Sequence, residues 1–484
     1  MVNNQSSLLW YDYETLGINP RRDRVVQFAA IRTDMALNII SDPIDLFCQP
    51  AWDTLADPHA CLVTGISPLF ALKNGLPEAD FAQRIFDEMA RPNTCTVGYN
   101  SIRFDDEFSR FLFYRNLFDP YQREWKHGNS RWDLLDVVRM TWALKPETLN
   151  WPVDDGGVTR FKLEQLTALN GIGHEKAHDA VSDVKATIGL AQLIKNRQPE
   201  LYDYAYSLRL KANVSKQLDT LSRKPVLHFS GRFPVAQGCM AMVSPIMPMP
   251  GNPNAIICFN VSQSPEALAT LSAEDIQKRL FSTQADLEAQ GLTRIGLKVI
   301  HINKSPMVVP AKMLTPDVAA RFGHDIAQMQ AHYDALVQMP DIAAKLSAVY
   351  AREPMAPGDV DGALYDGFVK DSDRRILDGV RKQPAFSQSI GSVAFQDERL
   401  PELLFRYWCR NWPDEIPERE MRHWKAHCQR ALSEADYGPG VTAQQVLDAL
   451  PELKLAHPDR VALLDDIDQW VREQCHRVGL NLTV

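Results

Sequence analysis

Metal-binding cysteine motifs, long apolar runs and a surplus of positive charge are all lacking in this 484-residue sequence. Its eight cysteines are scattered and no two form a C-x-x-C pair, so neither a zinc site nor a disulfide framework is indicated. No apolar run approaches the ~20 residues that span a bilayer, and the first residues, MVNNQSS, contain no basic segment. We therefore expect a cytoplasmic protein with buried thiols, without a signal peptide and without a membrane partner.

The net charge of −9, taken alone, argues against a nucleic-acid partner. The charge is unevenly distributed, however, because residues 201–352 carry 15 lysines and arginines against 11 acidic residues while both flanking parts are acidic. One basic face is enough for DNA binding, since the local field decides the interaction. Ordinary scatter of charges explains the same numbers equally well.

A chain of this length is expected to fold as two or three domains. Residues 8–14 and 25–32 are predicted strands, separated by turn residues, and helical spacing follows at 161–169 and 180–195. The pattern predicts an α/β domain over residues 8–198.

Two further domains are predicted, over residues 199–352 and 357–480. The middle domain mixes helices with short predicted strands at 225–230, 255–259 and 297–302, which favours a small β-barrel with added helices. Its prolines at 245, 248, 250 and 253 are predicted to lie between strands. The third domain is predicted to be mostly helical, for example at 401–408, 443–450 and 459–474.

Asp12 and Glu14 form a D-x-E pair at the end of a predicted buried strand. Alternate side chains of a strand share a face, so both carboxylates point the same way. Their repulsion inside a core is relieved by a bound cation, and a hard divalent ion prefers such oxygen ligands. Two harmless acids at a solvated strand end are the simpler explanation of this pair alone.

Asp105 follows the turn Gly98–Ser101, in the first turn of a predicted helix whose Phe104 and Phe108 share one face. Asp105 and Asp106 are also simply favourable at a helix N-terminus, which is a sufficient explanation by itself.

His178 precedes Asp183 by five residues, about 500° along a helix, so the two cannot share one helical face. If Asp183 faces a site from the helix, His178 lies in the loop before it, where it is free to act as a general base. A surface histidine before an Asp179 cap is the alternative.

In combination these residues form the order D-x-E, N-x-x-x-x-D and H-D-A-x-x-D, which resembles the DEDDh exonucleases. Longer strings are similar to the bacterial exodeoxyribonuclease I family, among them DYET at 12–15, QFAAIRTD at 27–34, NSRWDLLDV at 129–137 and LYDGF at 364–368. The resemblance extends over nearly the whole chain. One departure is Lys162, where a relative has an arginine; a lysine can still hold a phosphate there, but without the bidentate fork of a guanidinium.

The resemblance implies an RNase H-like nuclease domain, an SH3-like barrel with helical additions and a helical C-terminal domain. It implies 3′→5′ hydrolysis of single-stranded DNA to 5′-mononucleotides, in DNA repair and recombination. Two Mg²⁺ ions, replaceable by Mn²⁺, would be held by Asp12, Glu14, Asp105 and Asp183, with His178 as general base. It also implies a partner, the acidic C-terminal tail of single-stranded DNA-binding protein, with Lys224 in the contact patch.

Candidate DNA contacts combine cations with aromatic side chains, as single strands require. The alternative is that the aromatic side chains belong to the core and the charged side chains form an ordinary solvated face. The candidates are Arg110, Tyr121, Trp125, Lys145, Lys162, Lys224 and Lys304.

Two other functions stay open on the residues alone. A proofreading or oligoribonuclease type of nuclease is disfavoured by the long basic middle region, and a non-catalytic DNA-binding scaffold by the complete set of acidic residues and histidine.

Overall fold

A computed structural model describes residues 5–173, 179–351, 358–387, 389–438 and 440–482. The chain divides into two compact units, one from residues 1–130, 174–185 and 356–484 and the other from 131–173 and 186–355. These units differ from the three consecutive domains predicted from the sequence, because the first unit combines both ends of the chain. Among the described helices, none has the length and hydrophobicity needed to cross a membrane.

The strands of the described residues are short to medium in length. They are β1 (Ser7–Thr15), β2 (Val25–Thr33), β3 (Ile44–Phe47), β4 (Thr94–Gly98), β5 (Ser130–Asp133), β6 (Val226–Phe229), β7 (Met240–Met249), β8 (Asn252–Asn260), β9 (Leu297–His301) and β10 (Met307–Pro310).

The helices of the described residues dominate the C-terminal part, where no strand is found within 358–387, 389–438 and 440–482. They are α1 (Pro58–Thr64), α2 (Pro68–Asn74), α3 (Glu78–Met89), α4 (Asp105–Arg115), α5 (Leu134–Leu144), α6 (Leu163–Leu169), α7 (Ala180–Arg197), α8 (Pro199–Ser207), α9 (Lys211–Gln217), α10 (Glu266–Thr270), α11 (Ala273–Phe281), α12 (Gln284–Ala289), α13 (Pro316–Arg321), α14 (Ile326–Gln338), α15 (Ala343–Val349), α16 (Asp371–Val380), α17 (Leu400–Asn411), α18 (Glu418–Ser433), α19 (Ala443–Ala456) and α20 (Val461–Val478).

The sheet of the first unit runs in the order β3-β2-β1-β4. β1 pairs antiparallel with β2 and parallel with β4, so it lies in the middle of these strands. All nine residues of β2 and eight of the nine in β1 are buried. Such burial on both faces explains why β1 is a nearly continuous run of apolar and aromatic residues up to Asp12.

The core of the first unit is shared between the two ends of the chain. Leu16, Leu55 and Ile66 belong to the same buried cluster as Trp424 of α18 and Trp470 of α20. A second cluster packs β1 and β2 against α3 and α4. The N-terminal sheet is therefore stabilised from within and also by the C-terminal helices.

The second unit contains an antiparallel sheet in the order β10-β6-β7-β8-β9. The prediction that its prolines lie between strands is wrong for three of the four. Pro245 and Pro248 lie inside β7 and Pro253 inside β8, and only Pro250 lies between strands. The β7–β8 register shifts next to Pro245 and Pro248, and such irregularities accommodate residues that lack an N–H donor.

The other predicted elements are confirmed, with ends that differ by at most six residues. The helix predicted from residue 180 begins at Ala180 and extends to Arg197, and the helix predicted at 161–169 begins at Leu163. Gly171 follows the end of the latter helix at Leu169 and has the left-handed φ of +67° that favours glycine. All eight cysteines are free and buried, as expected.

Candidate active site

Three carboxylates meet in the first unit at the end of β1. Asp12 and Glu14 lie two residues apart on this strand, opposite Ala29 and Gln27 of β2, so their side chains share a face. Asp183 joins them from the first turn of α7. One oxygen of each residue lies within 4.8 Å of the others, a spacing at which a single metal ion can be held.

Asp105 lies next to this group, in the first turn of α4. It is 4% exposed, and one of its carboxylate oxygens accepts a hydrogen bond of 3.2 Å from the backbone N–H of Tyr13. Tyr13 separates Asp12 from Glu14, so this bond fixes Asp105 directly against the strand that carries the D-x-E pair. The structure thus brings together the four carboxylates that the sequence predicted.

The protonation of these carboxyl groups is strongly perturbed. Burial and the charge of Asp183 raise the pKa of Asp12 to about 8. Burial, Asp12, Asp183 and Asp179 raise the pKa of Glu14 to about 9. Burial and then Asp12 raise the pKa of Asp105 well above its ordinary value. The shared cause is like charge in a low-dielectric setting, which a divalent cation with oxygen ligands relieves. The residues therefore fit a divalent metal ion.

A second group, Asp53, Asp361 and His427, has similar spacing but opposite electrostatics. Arg410 donates hydrogen bonds to both carboxylates, with 2.7 Å from its Nη2 to Asp53 and 2.8 Å from its Nη1 to Asp361. Burial alone would raise the pKa of Asp53, but Arg410, His427 and Arg24 hold it well below its ordinary value. This group already contains its cation, so it is a buried ion-pair network and not a metal site.

The start of α7 is fixed by Asp179. Its carboxylate accepts hydrogen bonds from the backbone N–H of Ser182 at 3.1 Å and from the Ser182 hydroxyl at 2.7 Å. The cap orients the first turn and with it Asp183. His178, the predicted general base, directly precedes this cap and lies outside the described residues.

Arg110 is buried, with 6% of its surface exposed, so the prediction that it contacts DNA is wrong. Its guanidinium donates to both carboxylate oxygens of Glu124 at 2.7 and 3.0 Å and to Glu107 at 3.0 Å. Arg110 is thus a buried residue whose positive charge is neutralised by two carboxylates inside the protein, so it is not available to a DNA phosphate.

The other predicted DNA contacts have side chains at the surface of their own units. Trp125 is 65% exposed, Lys145, Lys162 and Lys224 are exposed, and Tyr121 and Lys304 are half-buried. Their assignment as DNA contacts stays a prediction.

An exposed aromatic residue beside Tyr121 was not predicted. Phe368 is 79% exposed, and its ring centroid lies 5.7 Å from that of Tyr121. Both rings line a cavity of about 410 Å³ to which Lys126, Arg374 and Arg375 also contribute. The LYDGF string contains Phe368, but no sequence signal separates an exposed phenylalanine from a core residue.

Three family models match the chain in sequence order. They are described as Exonuclease over residues 9–191, Exonuclease I SH3-like domain over 209–352 and Exonuclease I C-terminal domain over 358–474. The chain is 40% identical to exodeoxyribonuclease I of Escherichia coli over 471 residues, which cover 97% of this chain and 98% of the relative. The relative from Haemophilus influenzae is 39% identical, with 96% and 98% covered.

The chain belongs to the exodeoxyribonuclease I family. Membership confirms the predicted fold, with an exonuclease domain, an SH3-like domain and a helical C-terminal domain. It also separates the chain from oligoribonucleases, because the similar oligoribonuclease of Legionella pneumophila matches only 41% of this chain, at 27% identity. The carboxylate cluster is thus the candidate active site of an exodeoxyribonuclease I.

Solved structures of this family superpose closely. Escherichia coli exonuclease I in complex with a dA16 oligonucleotide gives a TM-score of 0.92 at 39% identity, covering 97% of this chain and 100% of that one. A complex of exonuclease I with the C-terminal segment of single-stranded DNA-binding protein gives 0.90 at 38% identity, covering 97% of this chain and 99% of that one. A zinc-bound form in complex with single-stranded DNA gives 0.91 at 38% identity, covering 98% and 100%, and shows that a relative binds a divalent metal ion.

Proposed function

We propose that this chain removes 5′-mononucleotides from the 3′ end of single-stranded DNA, with Mg²⁺ as its physiological metal ion. The observation that carries the proposal is the cluster of Asp12, Glu14 and Asp183, whose oxygens lie within 4.8 Å of one another in a member of the exodeoxyribonuclease I family. Its oxygen-only ligands suit Mg²⁺, or Mn²⁺ as a substitute.

Asp12, Glu14, Asp105 and Asp183 would hold two such ions. When bound, these ions supply Lewis-acid activation of the attacking water and neutralise charge on the leaving 3′-oxygen. The strand β1 supplies two ligands at fixed spacing, and the Tyr13 N–H and the Asp179 cap orient the other two. The chain thereby presents all four carboxylates to one place before substrate arrives.

His178 is proposed as the group that accepts the proton of the attacking water. Support comes from its place in the H-D-A-x-x-D order, immediately before the cap of α7 and five residues before Asp183. A histidine there can hold a proton near neutral pH without being a metal ligand.

DNA is proposed to be bound by stacking and by phosphate contacts. Trp125, Tyr121 and Phe368 offer exposed or half-exposed rings in the first unit, with Lys126 and Arg375 lining the same cavity as Phe368. Lys145, Lys162, Lys224 and Lys304 are proposed phosphate contacts in the second unit. Aromatic rings stack on any base, so this arrangement suits binding without sequence preference.

A partner is proposed from the solved complex of a relative with the C-terminal segment of single-stranded DNA-binding protein. The acidic C-terminal tail of single-stranded DNA-binding protein would bind here through a basic patch that includes the exposed Lys224. A cytoplasmic location remains part of the proposal and is supported by eight free thiols.

The proposal is tested by digesting single-stranded DNA, duplex DNA and RNA of one sequence with the full chain in Mg²⁺. We expect rapid release of mononucleotides from single-stranded DNA and slow release from the other two. A parallel reaction with EDTA separates an enzyme from a non-catalytic scaffold. Equal digestion of RNA and DNA would overturn the substrate, and digestion in EDTA would overturn the metal mechanism.

A further inference from the structure

Two tyrosines flank the first metal ligand and point into the core. Tyr11 and Tyr13 lie on either side of Asp12 in β1, and they are 2% and 3% exposed. Neighbouring residues of a strand alternate between its faces, so these rings lie on the face opposite to Asp12. Their hydroxyl groups therefore cannot act on substrate, and any role they have must come from their contacts inside the protein.

Both hydroxyl groups are hydrogen-bonded to α4, the helix that carries Asp105. The Tyr11 hydroxyl donates to Oδ1 of Asp106 at 2.7 Å, and the Ser109 hydroxyl donates to the Tyr13 oxygen at 3.1 Å. Together with the Tyr13 N–H bond to Asp105, three bonds of different kinds connect β1 to α4 within five residues of the helix.

The contact at Asp106 is itself supported by a buried cation. Arg123 is 0% exposed and Asp106 is 1% exposed, and Nη2 of Arg123 lies 2.6 Å from Oδ1 of Asp106. Nη1 of Arg123 donates to the hydroxyl of Thr96, on the neighbouring strand β4, at 3.2 Å. Asp106 is therefore held by β1 and by a side chain anchored on β4, so its position is determined from two directions.

We infer that Tyr11, Tyr13, Ser109, Asp106 and Arg123 are positioning residues that fix the spacing between Asp12 and Asp105 and thereby set the affinity of the site for a small divalent ion. This inference rests on the proposed metal site. Groups behind metal ligands commonly change metal affinity 10- to 100-fold when they are removed, because the ligands then lose their orientation. The hydroxyls act here through the strand and the helix and never touch the ion.

Tyr11→Phe is the variant that tests the inference, because it removes one hydroxyl and keeps the ring in the core. Tyr114→Phe is the matched control. Tyr114 lies on the same helix and is 4% exposed, but its hydroxyl donates to the carbonyl of Val360 at 3.0 Å, away from β1. Each substitution removes one hydrogen bond that a buried tyrosine makes on or to α4, and only Tyr11→Phe is expected to loosen the metal site.

The measurement is binding of Mn²⁺ alone to the metal-free full chain, followed by electron paramagnetic resonance, with Mg²⁺ titrated by calorimetry. We expect Tyr11→Phe to raise the dissociation constants about tenfold and Tyr114→Phe to leave them near the wild-type values. Folding is checked by thermal unfolding in EDTA.

A folded Tyr11→Phe protein with wild-type affinity would overturn the inference, as would an equal loss in Tyr114→Phe. If Tyr11→Phe does not fold, Ser109→Ala is measured in its place. We expect this variant to bind Mn²⁺ more weakly than the wild type, and unchanged affinity would contradict the inference. Asp12→Asn is included because wild-type Mn²⁺ affinity in that variant would show that the proposed metal site itself is wrong.

Discussion

At the scale of residues, adjacent acids in this chain have opposite environments. Asp105 faces the carboxylate cluster, where burial and then the charge of Asp12 raise its pKa, whereas Asp106 pairs with the buried Arg123. The sequence predicted the first role from the order of acidic residues. It could not predict the second, because the partner lies 17 residues away and the pairing depends on tertiary packing.

Asp12→Asn is expected to abolish cleavage, because it removes a charged ligand from the proposed metal site. It also removes a carboxylate that is repelled by Asp183, so the fold should be kept. The pKa of Asp12 rises from its ordinary 3.8 to about 8 on folding. Between these values the folded, metal-free protein binds more protons than the unfolded chain, so its stability falls as pH rises.

Urea unfolding in EDTA checks this prediction. The variant should gain stability relative to the wild type as pH increases from about 4 to about 8, with little difference below pH 4. A wild-type protein that becomes more stable over this range, or substantial residual cleavage by the variant in Mg²⁺, would contradict the assignment of Asp12.

His178→Ala should lower turnover by about 10²–10⁴-fold, the usual effect of losing a general base. Metal binding should survive, since His178 is not a proposed ligand. Calorimetric titration of metal into the variant, next to Asp183→Asn, tests the role. An equal loss of metal affinity in the two variants would make His178 a ligand.

At the scale of elements, apolar periodicity predicted those strands and helices that are determined by their local sequence. β1, β2 and α7 were found near their predicted bounds because apolar spacing and turn residues are local signals. β7 was missed because Pro245 and Pro248 argue against a strand, and the register shifts that accommodate them depend on pairing with β8. The prediction that Arg110 contacts DNA is wrong because its guanidinium pairs with Glu107 and Glu124 instead. Folding brings these carboxylates to it, and the sequence alone does not show that pairing.

Arg410 of α17 is expected to be important for stability. Its side chain is 1% exposed and pairs with both Asp53 and Asp361. Arg410→Met leaves two buried carboxylates without this cation and should cost about 3–5 kcal/mol in the free energy of unfolding. Arg430→Met is the control, because its pair with Glu434 is half-exposed on both sides and should contribute at most about 1 kcal/mol. Urea denaturation of both variants measures the difference, and equal losses would contradict the importance of the buried network.

At the scale of the whole molecule, the sequence predicted which domains exist but not how they share a core. Three consecutive domains follow from local composition and from family resemblance. The cluster that joins Leu55 and Ile66 to Trp424 and Trp470 connects residues several hundred positions apart, for which one sequence carries no signal.

A chain ending near Gln198 keeps every proposed catalytic residue but loses the C-terminal half of that cluster. It would expose Leu16, Leu55 and Ile66, which are buried in the full chain. We expect the fragment to aggregate or to unfold without cooperativity, since apolar burial is the main stabilising contribution. Thermal unfolding and size-exclusion chromatography of the fragment and the full chain test this, and a monomeric fragment with a cooperative transition would contradict it.

The carboxylate cluster at the end of β1 is proposed to remove nucleotides from the 3′ end of single-stranded DNA. The most direct measurement digests one oligonucleotide, labelled in separate reactions at its 3′ and at its 5′ end, with the wild type and with Asp12→Asn. We expect immediate release of the 3′ label as a mononucleotide and progressive shortening of the 5′-labelled strand, with neither reaction in the variant or in EDTA. Release of the 5′ label first, or cleavage that persists in the variant, would contradict it.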